Sequence, residues 1–387
     1  MSRDPRADPA RLPQIDTLRG LAALGVFFFH LHLELGGAKR WLPPLTIAGR
    51  TFAKIPNFIS LGAYGVSLFF VVSGFCLSLP QWRRRRAGGS PALHVRTYAR
   101  NRFARIVPAY WAAVLVAAVL TVATTRWSAL QVAWHALVHA FFLHGFSRTT
   151  ILSLNPALWS MATEVQFYVA FPLLLALAAR VGKGRFVALA AAFNVAYRLA
   201  LPHLASGDAA GGSMSPQILL SLQLPGRILE FALGMALAEL YIDDRPRVRR
   251  VALPALLLGV PAALLVRLAG TAELVEPLFG LAWFGLVGVM IARPWNDAGV
   301  RRWLAAFGRA SYAFFLLHVP LAALCARLVP ALSPARAAES PYGAYLLIIA
   351  LSFPVVLAAS VGVYLGVELP LWARLRSDAG RARAAAG

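Results

Sequence analysis

Long apolar runs separated by short polar segments dominate the chain. A helix needs about 20 apolar residues to cross a bilayer. Ten runs approach that length, namely 17–36, 58–79, 106–125, 163–181, 186–202, 217–241, 251–268, 276–292, 303–329 and 345–367. An eleventh run, 131–146, is too short and too rich in histidine to span comfortably. The pattern predicts an all-α polytopic membrane protein with about ten transmembrane helices and a short outer interfacial or re-entrant helix.

Composition supports a membrane environment. Of the 387 residues, 59% are hydrophobic and 14% are charged, whereas soluble proteins are about half apolar and about a quarter charged. The formal charge of +22 is a feature of nucleic-acid-binding proteins. Most of the arginines, however, lie in short loops between apolar runs, as membrane orientation requires. We therefore expect the lipid bilayer, and no nucleic acid, as a partner.

The loops favour one orientation. Lys and Arg residues concentrate in alternate loops such as 80–105 and 242–250, while 203–216 and 269–275 contain none. Both termini are therefore expected in the cytoplasm, and the first run is expected to be an uncleaved span. The predicted organisation is a cytoplasmic N-terminal segment at 1–16, a membrane domain at 17–367 and a basic cytoplasmic tail at 368–387.

Arg19 and His30 stand at opposite ends of the first run. Eleven steps of about 100° place both side chains on one helix face, roughly 16 Å apart along the axis. That face offers a cation at the inner mouth and a proton acceptor deeper in the membrane, which suits a substrate with an anionic head. A structural alternative stays open, in which Arg19 snorkels and His30 makes an interhelical hydrogen bond.

The second and third runs add further candidates. Ser73, Gly74 and Phe75 lie in the second run, where the glycine permits close approach of a ligand or, more commonly, of another helix. Arg102 and Arg105 are three residues apart and can grip one anion together. They also fit the ordinary excess of positive charge on the cytoplasmic side.

Glu164 lies near the outer end of the fourth run, close to Trp159, Gln166 and Tyr168. Its carboxylate can pair with a histidine or an arginine from another span. Trp159 and Tyr168 fit equally well as aromatic residues of the membrane interface.

Arg227 and Glu230 are three residues apart in the sixth run, which makes them a self-neutralising pair with a structural role. His318 lies in the ninth run and, taken alone, fits a core histidine.

Taken together, these stretches resemble the acyltransferase-3 superfamily of integral-membrane O-acyltransferases, which modify bacterial cell-surface glycans and other acceptors. The resemblance covers roughly residues 15–370. Its motifs are Arg19 and His30; Ser73, Gly74 and Phe75; Arg102 and Arg105; Trp159, Ser160, Glu164, Gln166, Phe167 and Tyr168; Arg227, Glu230, Phe231 and Gly234; and Ser311, Tyr312 and His318. One departure is Val165, where the family often has a second glutamate.

The resemblance implies a stand-alone enzyme of the bacterial inner membrane. It would move an acyl group, most often acetyl, from acyl-coenzyme A to a hydroxyl of a cell-envelope polysaccharide or related acceptor. Acyl-coenzyme A is then a co-substrate, and no permanently bound cofactor is expected.

The resemblance also implies roles for individual residues. Arg19, Arg102 and Arg105 would hold the coenzyme A phosphates, beside Ser73, Gly74 and Phe75. His30 would act as general base, with Glu164, or less well Glu230, orienting its ring. Substrate-binding or site-supporting roles fall to Trp159, Gln166, Tyr168, Arg227, Glu230, Tyr312 and His318.

Three alternatives remain open. An acyl-serine intermediate would form at Ser73, although no base stands beside it in the sequence. A transporter or flippase would also carry intramembrane charges, but matching halves are not visible. His135, His139 and His144 have ligand-like spacing without the Glu or Cys that zinc usually requires, and we predict no metal.

Overall fold

The structure is a computed structural model that describes residues 12–34, 45–47, 50–52, 58–89, 93–204, 214–270, 272–295, 298–332 and 341–374. Most of the predicted N-terminal segment and of the predicted C-terminal tail lies outside these residues.

Helices make up almost all of the described chain. The α-helices are α1 (Pro13–Glu34), α2 (Gly65–Arg86), α3 (Val95–Thr124), α4 (Ala129–Ala140), α5 (Trp159–Val181), α6 (Lys183–Leu204), α7 (Pro216–Leu222), α8 (Leu224–Asp243), α9 (Arg245–Ala269), α10 (Val275–Ala292), α11 (Val300–Leu332) and α12 (Pro341–Val363). Short 3-10 turns cover Phe58–Tyr64, Leu143–Phe146, Pro156–Leu158 and Ala272–Leu274, and a π-helical turn covers Tyr364–Glu368. Strands β1 (Leu45–Ile47) and β2 (Arg50–Phe52) pair antiparallel as a small ribbon that the sequence did not predict.

Nine helical segments of the described chain are long and apolar enough to cross a membrane. They are Ile59–Arg86, Val95–Thr124, Pro156–Val181, Lys183–His203, Pro216–Asp243, Arg245–Ala269, Val275–Ala292, Val300–Leu328 and Leu346–Arg374. Each coincides with one of the ten predicted runs, which confirms the class of all-α polytopic membrane protein.

The first predicted run is the exception. It forms α1, which has 22 residues and is long enough to span, yet it is not one of those nine segments. Its ionisable residues, which include Asp16, Arg19, His30 and Glu34, lower its mean hydropathy. α4 has 12 residues, too few to span, and a capping box between Ser128 and Gln131 fixes its start.

α1, α3 and α11 run in the same direction. Phe27 of α1 contacts Phe314 of α11, with ring centroids 5.5 Å apart, and a side chain at Gly308 would collide with the carbonyl oxygen of Asp16. The hydroxyl of Tyr312 donates to the carbonyl oxygen of Ile106, 2.9 Å away. We call the end of the bundle where α1 and α11 begin the arginine end, and the opposite end the far end.

α2 and α8 cross very closely. A Cβ atom at Gly74 would collide with the carbonyl oxygen of Phe231, and one at Gly234 with that of Val71. Phe167 of α5 stacks on Phe231, with ring centroids 4.4 Å apart. The backbone that Gly74 approaches is therefore that of a neighbouring helix.

Candidate active site

A cavity of about 340 Å³, the first cavity, lies between α1, α2, α3, α5 and α11. The predicted site residues that line it are Arg19, Ser73, Phe75, Arg105, Glu164, Tyr168 and Tyr312. Runs that are far apart in the sequence therefore meet around one space, as a binding site requires.

The charged groups of the first cavity are mainly cationic. Its lining includes the guanidinium groups of Arg19, Arg83, Arg105 and Arg309, together with the carboxylates of Asp16, Glu164 and Glu368. Four cations thus face three anions around a confined space. An anionic ligand gains both charge attraction and forked hydrogen bonds from such guanidinium groups.

Arg102 does not share the position of Arg105. Among the described residues, the lining of the first cavity includes Arg105 but not Arg102. The Arg102 guanidinium lies 5.9 Å from the ring centroid of Tyr98. The Tyr98 hydroxyl donates to the carbonyl oxygen of Tyr168, 3.0 Å away. Arg102 therefore supports the wall of the first cavity, and its expected role in holding an anion together with Arg105 stays a prediction.

The carboxylate of Glu164 is held by two hydroxyl groups. Ser73 Oγ donates to Glu164 Oε1 at 3.2 Å, and the Tyr168 hydroxyl donates to the same oxygen. The sequence separates Ser73 from any base, whereas the fold puts a carboxylate beside it. The expectation that Glu164 orients His30 is not met, because the carboxylate engages these hydroxyls.

His30 instead meets His318. His30 Nδ1 lies 3.1 Å from His318 Nε2 and 3.0 Å from the carbonyl oxygen of Val26. His318 Nδ1 lies 2.6 Å from the carbonyl oxygen of Phe315. An atom that contacts a carbonyl oxygen must carry the proton.

When both imidazoles are neutral, these contacts assign their tautomers. His318 Nδ1 donates to Phe315, so that its Nε2 accepts. His30 Nδ1 donates to Val26 and His318, which leaves the lone pair on His30 Nε2. The ring of His30 is thus oriented by a second histidine and retains one basic nitrogen.

Two phenylalanines separate this pair from the first cavity. Among the described residues, neither His30 nor His318 lines the cavity, whereas Phe69 and Phe315 do. The Phe69 and Phe315 ring centroids are 5.4 Å apart, and Phe315 is 5.5 Å from His318. The cavity therefore ends about one helical turn short of the histidine pair.

Arg227 and Glu230 belong to a separate buried network. Arg227 Nη1 is 3.3 Å from Glu230 Oε1, and Arg227 Nη2 is 3.4 Å from Glu276 Oε1. Arg198 Nη1 is 3.0 Å from the other Glu276 oxygen, and the Arg227 guanidinium lies 5.6 Å from the Trp159 ring. The predicted pair exists, and Arg198 and Glu276 complete it, although the sequence did not reveal them as partners.

Gln166 connects α5 to the start of α8. Its Nε2 donates to Gln223 Oε1 at 2.7 Å, and its Oε1 accepts from the backbone N–H of Leu224 at 3.0 Å. Among the described residues, Trp159, Gln166, Arg227 and Glu230 are outside the lining of the first cavity. These contacts join neighbouring helices, which is consistent with the site-supporting role expected of the four residues.

The histidines of the eleventh run do not converge. The His139 and His144 rings stack with centroids 4.0 Å apart, and His135 Nδ1 lies 2.7 Å from Ser153 Oγ. In the part of the chain that the structure describes, no group of three or more His, Cys, Asp or Glu side chains is arranged to hold a metal. Burial lowers the pKa of His139 to about 4 and the pKa of His144 to about 3, so both are neutral near pH 7.

The fold and the cavity define a polytopic membrane protein with a cationic, membrane-embedded binding space. The chain matches the family description "Acyltransferase domain" over residues 12–365, and it belongs to that family.

Relatives of known description agree with this assignment. The chain is 29% identical over 328 residues to the acyltransferase MdmB of Streptomyces mycarofaciens, which covers 80% of this chain and 78% of the relative. It is 26% identical over 188 residues to the peptidoglycan O-acetyltransferase OatA of Listeria monocytogenes, which covers 45% of this chain and 26% of the relative. No solved structure matches the chain significantly. The protein is therefore a membrane-embedded acyltransferase, an enzyme that transfers acyl groups.

Proposed function

We propose that the enzyme transfers an acetyl group from acetyl-coenzyme A to a hydroxyl of a cell-surface glycan or a related acceptor. The observation that carries the proposal is the guanidinium-lined first cavity, which ends about one helical turn from a neutral histidine pair.

The charge and the length of the first cavity support this donor. Coenzyme A carries phosphates, and Arg19 and Arg105 can hold them with forked hydrogen bonds. Val66 and Arg83 both line the cavity, and α2 rises about 25 Å between them. With the phosphates at the arginine end, an extended arm directs the thioester toward Phe69 and Phe315. The arginine end then faces the cytoplasm, with both termini on that side of the bacterial inner membrane.

Acyl transfer then follows from the position of His30. Its Nε2 takes the proton of the acceptor hydroxyl, whose oxygen attacks the thioester carbonyl carbon. The new C–O bond forms as the C–S bond breaks, and the proton passes from His30 to the leaving thiolate. His318 positions the ring throughout. Phe69 and Phe315 must turn aside for the thioester to reach the pair.

Acetyl-coenzyme A kinetics test the donor site. We expect Arg19→Gln and Arg105→Gln each to raise the KM for acetyl-coenzyme A about 10- to 100-fold, because each loses a charge-assisted hydrogen bond. Release of the free thiol by purified protein in lipid nanodiscs gives the measurement.

Arg100→Gln is the matched control, because Arg100 is an exposed residue of α3 outside the first cavity's lining. Its KM should stay within about twofold of the wild-type value. An unchanged KM in both Arg19→Gln and Arg105→Gln would place the donor elsewhere.

A further inference from the structure

A second cavity of about 260 Å³ lies toward the far end of the bundle, between the ends of α1, α3 and α11. Tyr312 and Phe315 of α11 line the first cavity, while Val319 and Pro320 line the second. His318 stands between these two sets on the same helix. Along α11 the histidine pair therefore lies at a level between the two cavities, and among the described residues neither histidine is part of the lining of either one.

One wall of the second cavity is a loop that hydrogen bonds hold in place. Ser153, Leu154 and Pro156 line it, and Asn155 Nδ2 donates to the carbonyl oxygen of Leu316 at 2.8 Å. Ser153 Oγ lies 2.7 Å from His135 Nδ1. These bonds tie the loop to α11 near His318 and to α4.

The same loop holds an unfavourable backbone conformation. Leu154 has a φ of 56°, in the left-handed region that a residue with a side chain rarely adopts. Such strain persists where the surrounding structure over-determines it, and it clusters at functional sites.

The chemistry of the lining favours an uncharged polyhydroxy ligand. The lining includes Trp127, whose indole ring packs against the His135 ring on one side with centroids 4.6 Å apart. One carboxylate from Glu34 and one guanidinium from Arg327 also line the cavity, so that its formal charges cancel. Ser153, Thr121, Thr124 and Thr125 also line it, and the hydroxyl of each donates to a backbone carbonyl oxygen. Thr121 Oγ1 donates to the carbonyl oxygen of Ala117 at 2.8 Å, which leaves its lone pairs to accept from a ligand.

We propose that the second cavity binds the acceptor, an uncharged polyhydroxy compound such as a sugar ring, with Trp127 as its aromatic face. The bound ring presents one hydroxyl to the histidine pair from the side opposite to the thioester. The inference rests on the proposed acyl transfer for its chemistry, but binding in the second cavity is testable without turnover.

Two thiols report separately on the two cavities. Native Cys76 lines the first cavity, and Leu324→Cys places a thiol in the lining of the second. The buried Cys325 is replaced by alanine throughout. Labelling by a small polar maleimide is followed in nanodiscs, free of glycoside detergent.

Methyl β-glucoside, used as the probe at saturating concentration, should slow labelling of Leu324→Cys at least fivefold and leave Cys76 unchanged. Acetyl-coenzyme A should instead slow labelling of Cys76 and leave labelling of Leu324→Cys unchanged. A lack of protection by the glucoside, protection by glucose 6-phosphate alone, or a Leu324→Cys thiol that never reacts would overturn the second site. Failure of acetyl-coenzyme A to protect Cys76, with glucoside protection intact, would instead overturn the donor site and retain the second cavity.

Trp127→Ala sharpens the test. In the Leu324→Cys protein, Trp127→Ala should abolish protection by the glucoside, because the sugar ring loses the aromatic side chain against which it packs. Trp134→Ala is the matched control, since Trp134 is a 58% exposed residue of the neighbouring α4 that does not line the second cavity in the described part of the chain. Thr121→Val removes one hydroxyl with little change in shape and should weaken protection. Equal protection in Trp127→Ala and Trp134→Ala would contradict a role for the indole.

Discussion

Two buried polar clusters in this bundle are built on opposite principles. In the network of Arg198, Arg227, Glu230 and Glu276, two positive charges neutralise two negative charges inside the protein. The pair His30 and His318 carries no charge and is joined by one hydrogen bond. Charges that cancel within the fold hold helices together, whereas a neutral imidazole with a vacant basic nitrogen is equipped to move protons. We therefore expect the first cluster to govern stability and the second to govern turnover.

The largest effect is expected at His30. His30→Ala should lower acyl transfer at least ~100-fold, because general base catalysis contributes about that much or more. Turnover of acetyl-coenzyme A by purified protein measures it. His94→Ala, at an exposed position before α3, should leave turnover unchanged. A fully active His30→Ala protein would remove the histidine pair from the mechanism.

A smaller loss of activity is expected at His318, which acts through His30. His318→Leu should reduce kcat roughly 10- to 100-fold, the effect of losing one positioned hydrogen bond. The KM for acetyl-coenzyme A should stay constant, and the pH dependence of kcat should shift because the basicity of His30 changes. A loss of activity with an unchanged pH profile would indicate a merely structural role.

Breaking the ion network should affect stability instead. Glu230→Gln leaves Arg227 with one fewer buried partner and should lower the free energy of unfolding by about 3 kcal/mol. Glu239→Gln is the matched control, because the Glu239 contact to Lys183 is long, at 3.9 Å, and partly exposed; about 1 kcal/mol or less is expected. Denaturant unfolding in detergent gives both values. Equal stability of Glu230→Gln and wild-type protein would contradict the assignment.

The smallest effect is expected at Ser73. Its hydroxyl donates to Glu164, so Ser73→Ala should cost one ordinary hydrogen bond and change kcat within about fivefold. An abolished activity, together with an acetyl adduct on Ser73 by mass spectrometry in the wild-type protein, would establish the acyl-serine route instead.

Some features of this molecule are readable from local pattern. Nine spans could be predicted because bilayer thickness sets the length of an apolar helix. The common face of Arg19 and His30 follows from helical periodicity. The separate positions of Arg102 and Arg105 could not be predicted from spacing alone. Side chains three residues apart differ in direction by about 60° around a helix. The Arg105 guanidinium therefore reaches the first cavity, whereas the Arg102 guanidinium lies over the Tyr98 ring.

The partners of buried groups could not be predicted in this way. His30 and His318 are 288 residues apart in the sequence, and only the packing of α1 against α11 brings them together. Glu276 lies at the start of α10, where a charge is inexpensive, so that nothing in the local sequence marks it as a partner of Arg198 and Arg227.

The most direct test of the donor site is a cryo-EM structure of the protein in nanodiscs with a non-hydrolysable acetyl-coenzyme A analogue. We predict phosphate density at Arg19 and Arg105, with Phe69 and Phe315 turned aside. The carbon of the analogue that replaces the thioester carbonyl carbon should then lie where a hydroxyl oxygen could bridge it and His30 Nε2, each within about 3.5 Å. Analogue density outside the first cavity, or an arm that stops behind an unmoved Phe315, would contradict it.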